Sequence, residues 1–352
     1  MLDFSYQHLN YRGVADLERA LQTIALRLPR DVRLVVGVPR SGILAASVLA
    51  LQLNLPLTDV AGYLEDRILV TGRRSLRTTA APEGGRVLVV DDSVLTGDAL
   101  REVKATLAAA GKGDQVLYAA PFVTRASREA VDFYAEAVEA PRAFAWNLLH
   151  HRQLLARACI DIDGVLSSDP LADENDDGPA YLKFLAGAQP LFIPSVPVKY
   201  VVTSRLEKYR SETEQWLSAN QVEYSELVML EGADAETRRR ERLHAKHKAD
   251  FYARSGTELF IESEYGQAVE IAARSGRQVF AVDRREMVYP TPARAMVTAP
   301  GPFARSVGRQ PPGNIVAEQA GRAASRLARL PFVARVRTLA AKIRQSRRTT
   351  RR

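Results

Sequence analysis

The stretch Arg86-Val87-Leu88-Val89-Val90-Asp91-Asp92-Ser93-Val94-Leu95-Thr96-Gly97-Asp98-Ala99 decides how this chain is read. Four consecutive valine or leucine residues suit a strand buried on both faces, as in a parallel sheet. Two acids follow at its carboxyl end, then a short loop closing on Thr96-Gly97, then a helical pattern. In open α/β sheets, ligands collect at the carboxyl ends of strands. A loop that enters a helix presents free backbone N–H groups, which favour a phosphate. Two carboxylates just before such a loop can accept hydrogen bonds from vicinal sugar hydroxyls while the loop holds the phosphate. A single Asp would suit an ordinary helix cap. Asp-Asp with Thr-Gly at this spacing argues against that.

Working outward, apolar runs alternate with segments of helical period through the first 290 residues, and no internal repeat is evident. Strands are expected at 33–38, 87–90, 116–119, 158–162, 200–203, 259–261 and 279–281. Helices are expected at 14–28, 43–53, 99–110, 207–219, 236–255 and 265–275. That alternation predicts α/β architecture with two doubly wound parallel-sheet, Rossmann-like domains. A second strand with its own chemical signal begins at Ala158, which sets the boundaries at 1–152, 153–290 and a tail at 291–352. Beyond Pro290 the texture turns to Pro, Ala, Gly and Arg, as in a linker.

The chain has 352 residues and a formal charge of +8. The charge is unevenly placed. Residues 303–352 hold thirteen Lys/Arg against one acid, Glu318, whereas 1–302 hold 36 bases against 40 acids. The body is mildly acidic. The polar, aromatic start at 1–11 does not read as a signal region. The longest apolar stretch, 43–53, is too short to span a bilayer. A lone Cys159 cannot form an internal disulfide and sits in an apolar run, so a buried structural thiol in a reducing cytoplasm is expected.

On these residues the first domain resembles the type I phosphoribosyltransferases, whose signature is an apolar strand, two acids and a loop ending Thr-Gly. The resemblance implies that Asp91 and Asp92 hold the ribose and that Ser93, Val94, Leu95, Thr96 and Gly97 cradle its 5′-phosphate. Upstream, Leu34-Val35-Val36-Gly37-Val38-Pro39-Arg40-Ser41-Gly42 is similar to the family's pyrophosphate loop, with Arg40 on the leaving group beside Ser41 and Gly42. Arg67, Arg73, Arg74 and Arg77 fall where the family has a closing loop, and they could neutralise charge developing on pyrophosphate. Phosphoribosyl pyrophosphate and Mg²⁺ are implied, since a diphosphate's dense charge suits a hard cation. The acceptor is expected to be nucleobase-like, with Tyr6, His8, Tyr11 and residues 144–147 either stacking on it or packing as core. Purine-type relatives place an acid immediately before Thr-Gly and pyrimidine, orotate-type relatives a Thr; here the residue is Leu95.

The second signal is Ala158-Cys159-Ile160-Asp161-Ile162-Asp163-Gly164-Val165-Leu166. Two aspartates two residues apart leave a strand on one side, and Gly164 permits a sharp turn. One carboxylate can attack phosphorus while the other protonates the leaving oxygen. This resembles haloacid-dehalogenase-like (HAD) phosphatases, with Asp161 as nucleophile and Asp163 as acid/base. The resemblance extends to Thr203 as a phosphoryl contact and to Lys248, ahead of Lys246, as the stabilising cation. It implies a metal held by Asp161, Asp163 and either Glu264 or Glu262, with Glu264 favoured. The acidic run at 169–177 reads as a solvated loop too short for a large cap. His150-His151 reads as ordinary packing rather than a metal pair.

The tail repeats Phe332, Val336, Leu339, Ala340 and Ile343 on one helical stripe flanked by Arg335, Arg337, Lys342 and Arg344. Such a helix suits an anionic membrane surface or a partner protein. Nucleic acid is disfavoured because no aromatic platform interleaves the charges. The sequence therefore predicts a cytoplasmic, peripherally membrane-associated bifunctional enzyme, with a homodimer as a further expectation. It would transfer phosphoribosyl to a nucleobase-like acceptor and then dephosphorylate the product. The competing reading is a regulator that senses phosphoribosyl pyrophosphate beside an independent phosphatase domain.

Overall fold

The computed structural model describes residues 8–69, 84–175, 178–232 and 243–290. Its strands are β1 (Asn10–Arg12), β2 (Val32–Gly37), β3 (Leu57–Asp59), β4 (Arg86–Val90), β5 (Val116–Val123), β6 (Phe133–Ala137), β7 (Arg142–Phe144), β8 (Ala158–Ile160), β9 (Val198–Leu206), β10 (Tyr224–Leu230), β11 (Leu259–Glu262), β12 (Val279–Ala281) and β13 (Glu286–Val288). They form three sheets. The first large sheet runs β3-β2-β4-β5-β6 and is parallel throughout. The second runs β10-β9-β8-β11-β12-β13, with only β13 antiparallel. A third, of two parallel strands, pairs β1 with β7.

Strand alternation explains the layers of the first sheet. Val35, Leu88 and Val90 pack with Leu17, Leu21, Ala45 and Leu49, from the helices Val14–Ala25 and Gly42–Leu53. Leu34, Val36, Val87 and Val89 face the other way, onto Leu100 and Leu107 of the helix Asp98–Ala109. Burial on both faces is what the unbroken apolar run of β4 anticipated. The second sheet repeats the plan. Ile160, Val201 and Ile261 point toward the helices Pro179–Gly187 and Arg210–Ala219. Cys159, Val202 and Phe260 point toward the helices Leu243–Arg254 and Tyr265–Ser275. Cys159 is a free, buried thiol.

Both sheets lie within one unit, Met1–Ala295. Leu9, Ala143 and Leu148 belong to the same buried cluster as Ile160, Leu259 and Met287. Hydrogen bonds from the Leu9 N–H to Gln278 Oε1 (2.9 Å) and from the Tyr289 hydroxyl to the Leu9 carbonyl (2.9 Å) tie the segment before β1 to the second sheet. The expected seam at residue 152 therefore falls in shared core. Sequence periodicity did not find β3, β6, β10, β13 or the short β1–β7 pair. β1, β3, β7 and β13 have three residues each, too few for alternation to register, whereas β6 and β10 are longer but carry polar residues on positions left partly exposed. The closing loop with Arg73, Arg74 and Arg77, the start of the helix expected at 236–255, and the basic tail lie outside the described residues. Among the described residues, no helix is long and apolar enough to cross a membrane.

Candidate active sites

At the first site the ends of β2 and β4 are locked together. Val38 N–H donates to the Val90 carbonyl at 2.9 Å, extending the pairing past Gly37↔Val90. Gly42, which opens the next helix, packs on that strand end. A Cβ there would lie 2.8 Å from the Val90 oxygen and 3.0 Å from Asp91 Oδ1, so only glycine fits. The Arg40-Ser41-Gly42 loop and the Asp91-Asp92 pair thus border one spot, Arg40 exposed and Ser41 half-buried.

Asp92 is 7% exposed and Asp91 half-buried. Asp91 Oδ1 accepts the Asp92 backbone N–H at 2.8 Å, and Asp92 Oδ2 accepts the Trp146 indole N–H at 2.7 Å. Burial, reinforced by the charge of Asp92, pushes Asp91 up to about 7. Burial also raises Asp92, opposed by the Trp146 bond. The loop beyond is held from outside. Ser127 Oγ (3.0 Å) and Arg142 Nη1 (3.2 Å) donate to the Val94 carbonyl, and Thr124 Oγ1 (3.1 Å) donates to that of Leu95. Leu95 is half-exposed and Thr96 exposed. Gly97 turns the chain at φ +85° into the helix Asp98–Ala109. The sequence placed Ser93 to Gly97 here. It missed the brace of Thr124, Ser127 and Arg142, because those residues come from neighbouring strands and loops.

The stacking wall expected from Tyr6, His8, Tyr11 and residues 144–147 is not what forms. His8 stacks on Tyr289, and the Tyr11 hydroxyl donates to the Arg285 carbonyl, so both join the second sheet. Phe144 and Trp146 stack with Phe122 as core, and the Trp146 N–H is spent on Asp92. Tyr6 lies outside the described residues. Packing fills this region because β1 and β7 pair across the gap between the sheets.

The second site is a cavity of about 270 Å³ lined by Asp161, Asp163, Ser204, Arg205, His244 and Lys248, among others. Lys248, 2% exposed, donates to Asp161 Oδ2 at 2.6 Å and Glu262 Oε2 at 2.8 Å. Burial drives Asp161 well above the usual carboxylate range, opposed by Lys248. Attraction to Asp161 and Glu262 outweighs desolvation and raises Lys248, which stays charged. Asp163 takes a different partner: Arg205 donates to it through Nε (3.1 Å) and Nη2 (2.6 Å). Gly164 sits at φ +72°, where a Cβ would lie 2.5 Å from that of Ser263. The sharp turn needs glycine on both counts.

Two expected contacts move by one strand position or by a turn. Thr203 is fully buried, and its hydroxyl accepts the Arg205 backbone N–H at 3.2 Å; of the two hydroxyl residues here on β9, Ser204 is the one that lines the cavity. Glu264 is exposed and bonds Gln267 beside the following helix, whereas Glu262, 0% exposed, reaches Lys248. Alternation gives the reason. Ser204 shares a face with Val202, and Glu262 with Phe260; both faces point to the helix carrying Lys248. Lys246, one position off that face, is exposed. Asp169, part of the run read as a loop, stands at the cavity rim. His150 pairs with Ser195, and His151 caps the turn at Leu154.

The expected metal was to be held by Asp161, Asp163 and Glu264 or Glu262. The side chains as arranged do not fit it. Among the described residues no group of three or more acids, His or Cys is placed to hold an ion. The positive charge between Asp161 and Glu262 is Lys248's own, and Asp163 is taken by Arg205.

The family model of the phosphoribosyl transferase domain matches residues 8–149, the part of the chain that carries the parallel sheet β3-β2-β4-β5-β6. Similar solved structures include a purine phosphoribosyltransferase from Pyrococcus horikoshii, at 23% identity and TM-score 0.29, covering 39% of this chain and 92% of the other. A xanthine-guanine-hypoxanthine phosphoribosyltransferase from Helicobacter pylori is 16% identical at TM-score 0.30, covering 40% and 93%. A UMP synthase from Leishmania donovani is 22% identical at TM-score 0.25, covering 32% of this chain and 23% of the other. No curated protein sequence matches the chain.

Proposed function

We propose that the chain couples two reactions: phosphoribosyl transfer at Asp91-Asp92 and removal of the product's 5′-phosphate at Asp161-Asp163. The observation that carries the first is the Asp91-Asp92 pair at the end of β4, clamped by Trp146 and abutting Gly42. Phosphoribosyl pyrophosphate, entering with its Mg²⁺, places its ribose hydroxyls on these carboxylates and its 5′-phosphate on the loop from Ser93 to Gly97. Arg40 with Ser41 and Gly42, together with Arg73 and Arg74, stabilises the departing pyrophosphate. The acceptor is a planar, nucleobase-like ring that needs no carboxylate at the Leu95 position.

The reading of 153–290 as a HAD-like phosphatase domain is supported by the strand order, which puts β8 at mid-sheet between β9 and β11, and by the Asp161–Lys248–Glu262 cluster at its end. Asp161 attacks phosphorus as the ester P–O bond breaks, Lys248 opposes the burial that favours its protonated form, and Asp163, aligned by Arg205, protonates the leaving oxygen. Water then hydrolyses the aspartyl phosphate, giving its proton to Asp163 and releasing orthophosphate. The tail at 291–352 is assigned to an anionic membrane surface or a partner protein, and the enzyme to the cytoplasm.

The test incubates the full chain with Mg²⁺, phosphoribosyl pyrophosphate and a panel of bases, following pyrophosphate and orthophosphate separately. Asp161→Asn is expected to accumulate the phosphorylated nucleoside. An unchanged product would sink the coupled scheme. Binding of phosphoribosyl pyrophosphate without pyrophosphate release from any base would favour the sensor.

A further inference from the structure

A cavity of about 240 Å³ opens beside the loop of the first site and takes part of its wall from segments that enter the second sheet. Ser93 and Leu95 line it from the loop after β4, and Leu9, Asn147, Arg157 and Glu258 are among the residues that complete it. Its size falls below the roughly 300–1,000 Å³ of sites for drug-sized ligands, a scale that suits one planar ring. Arg157 and Glu258 immediately precede β8 and β11, so they stand at the amino ends of those strands, opposite the ends that carry Asp161 and Glu262. This wall is fixed by hydrogen bonds. Arg157 Nη1 donates to Glu258 Oε1 at 2.8 Å, and the Glu258 N–H donates to the Arg157 carbonyl at 2.8 Å. Gln278, fully buried, donates through Nε2 to the Glu258 carbonyl (2.8 Å) and accepts the Leu9 N–H (2.9 Å).

Joining the ribose C1′ to a ring nitrogen that bears hydrogen leaves a proton to be taken up. Leu95, half-exposed, offers the cavity an apolar surface and no side-chain acceptor. Among the described residues that line the cavity, Glu258 is the sole carboxylate. A carboxylate has about four acceptor positions, so the bond from Arg157 leaves room for another donor. We propose that this cavity holds the acceptor ring and that Glu258 takes its N–H proton, so that segments entering the second sheet complete the first active site. As the N–C1′ bond forms, the C1′–O bond breaks and pyrophosphate leaves with its electron pair. The N–H electrons stay on the ring, and the proton passes to Glu258. The substrate class is a planar heteroaromatic ring with a titratable N–H. This rests on reading Asp91-Asp92 as the phosphoribosyl site, and it adds the acceptor's place and the group that deprotonates it. Phosphoribosyl transfer then depends on the second sheet even when no phosphate ester is hydrolysed.

The experiment supplies the full chain with Mg²⁺, phosphoribosyl pyrophosphate and, in turn, hypoxanthine, guanine, uracil and orotate. Pyrophosphate release is followed for the wild type, Glu258→Gln and Glu258→Asp. Glu258→Gln is expected to lower kcat/KM for the base turned over best by about a hundredfold or more, the usual worth of a proton-transfer group. Melting temperature and calorimetric binding of phosphoribosyl pyrophosphate should stay at wild-type values, because the Arg157–Glu258 pair is partly exposed and such pairs add little stability. The deficit should shrink as pH rises and the base ionises by itself, which a merely structural role would not produce. Glu258→Asp keeps a carboxylate and should be at least about tenfold more active than Glu258→Gln. Wild-type kcat/KM in Glu258→Gln, or an equal and pH-independent loss in both variants, would overturn the assignment of Glu258 and leave the phosphoribosyl-transfer reading standing. A wild type that binds phosphoribosyl pyrophosphate but releases no pyrophosphate with any of the four bases would overturn both.

Discussion

Replacing Lys248 by methionine tests the central electrostatic claim about the second site. The substitution keeps the length of the side chain and deletes the ammonium that sits 2.6 Å from Asp161 and 2.8 Å from Glu262. Asp161 is 3% exposed and Glu262 0%, so both carboxylates are left largely desolvated when the partner is lost. Removing one member of a buried ion pair typically costs about 3–5 kcal/mol. For a folded unit of this size that is a fall in melting temperature on the order of 10 °C. The cost must also depend on pH. Burial already raises Asp161, and without Lys248 its pKa rises further. A carboxyl whose folded pKa lies above its unfolded value destabilises the fold as pH climbs through that window. The gap between variant and wild type should therefore be wide near about pH 8 and narrow near about pH 5, as Asp161 takes up a proton. Thermal unfolding followed by circular dichroism at both pH values measures it. Adding Glu262→Gln to Lys248→Met removes one orphaned charge and should recover part of the loss. A shift below about 2 °C, equal at both pH values, would refute the buried three-group cluster.

Three further outcomes are expected. Because Asp91 is raised to about 7, and its ionised form is the better acceptor for ribose hydroxyls, phosphoribosyl pyrophosphate should bind more tightly as pH rises from about 6 to about 8; Asp91→Asn should flatten that dependence in a fluorescence titration. Trp146→Phe keeps a ring against Phe144 but removes the bond to Asp92, and should weaken phosphoribosyl pyrophosphate about tenfold, the worth of one hydrogen bond to a charged group, with little loss of melting temperature. Gly164→Ala places a Cβ 2.5 Å from that of Ser263 at φ +72°, and should lower stability by about 1–3 kcal/mol in denaturant unfolding.

Much of the first site was legible because its parts are contiguous. A strand, two acids, a loop and a helix form within fourteen residues, and local patterning dictates each of them. The same holds for Asp161-Ile162-Asp163-Gly164, where strand, spacing and turn are neighbours in sequence. An aromatic role for residues 144–147 is legible in the sequence, but the bond from Trp146 to Asp92 is not, because the two residues are 54 positions apart and meet only in the folded chain. Ser204 and Glu262 were within reach. Counting parity from the apolar residues Val202 and Phe260 would have placed both on the face of the Lys248 helix, ahead of Thr203 and Glu264. Arg205 has no role legible in the sequence, since nothing in a linear reading joins it to Asp163, 42 positions earlier.

The sequence by itself determined which chemistry is present: paired acids before a phosphate-type loop, a second acid pair before a glycine turn, and the strands that carry them. Its order of strands and helices also determined an α/β body with parallel sheets. Only the tertiary structure decided which polar groups share a cavity. It chose Glu262 over Glu264 and brought Ser204 rather than Thr203 to the cavity wall. It also turned the expected acceptor aromatics into packing between the sheets. The physical reason is range. Strand and turn preferences act between neighbours in the chain, whereas burial and ion pairing act between whatever surfaces the fold presses together.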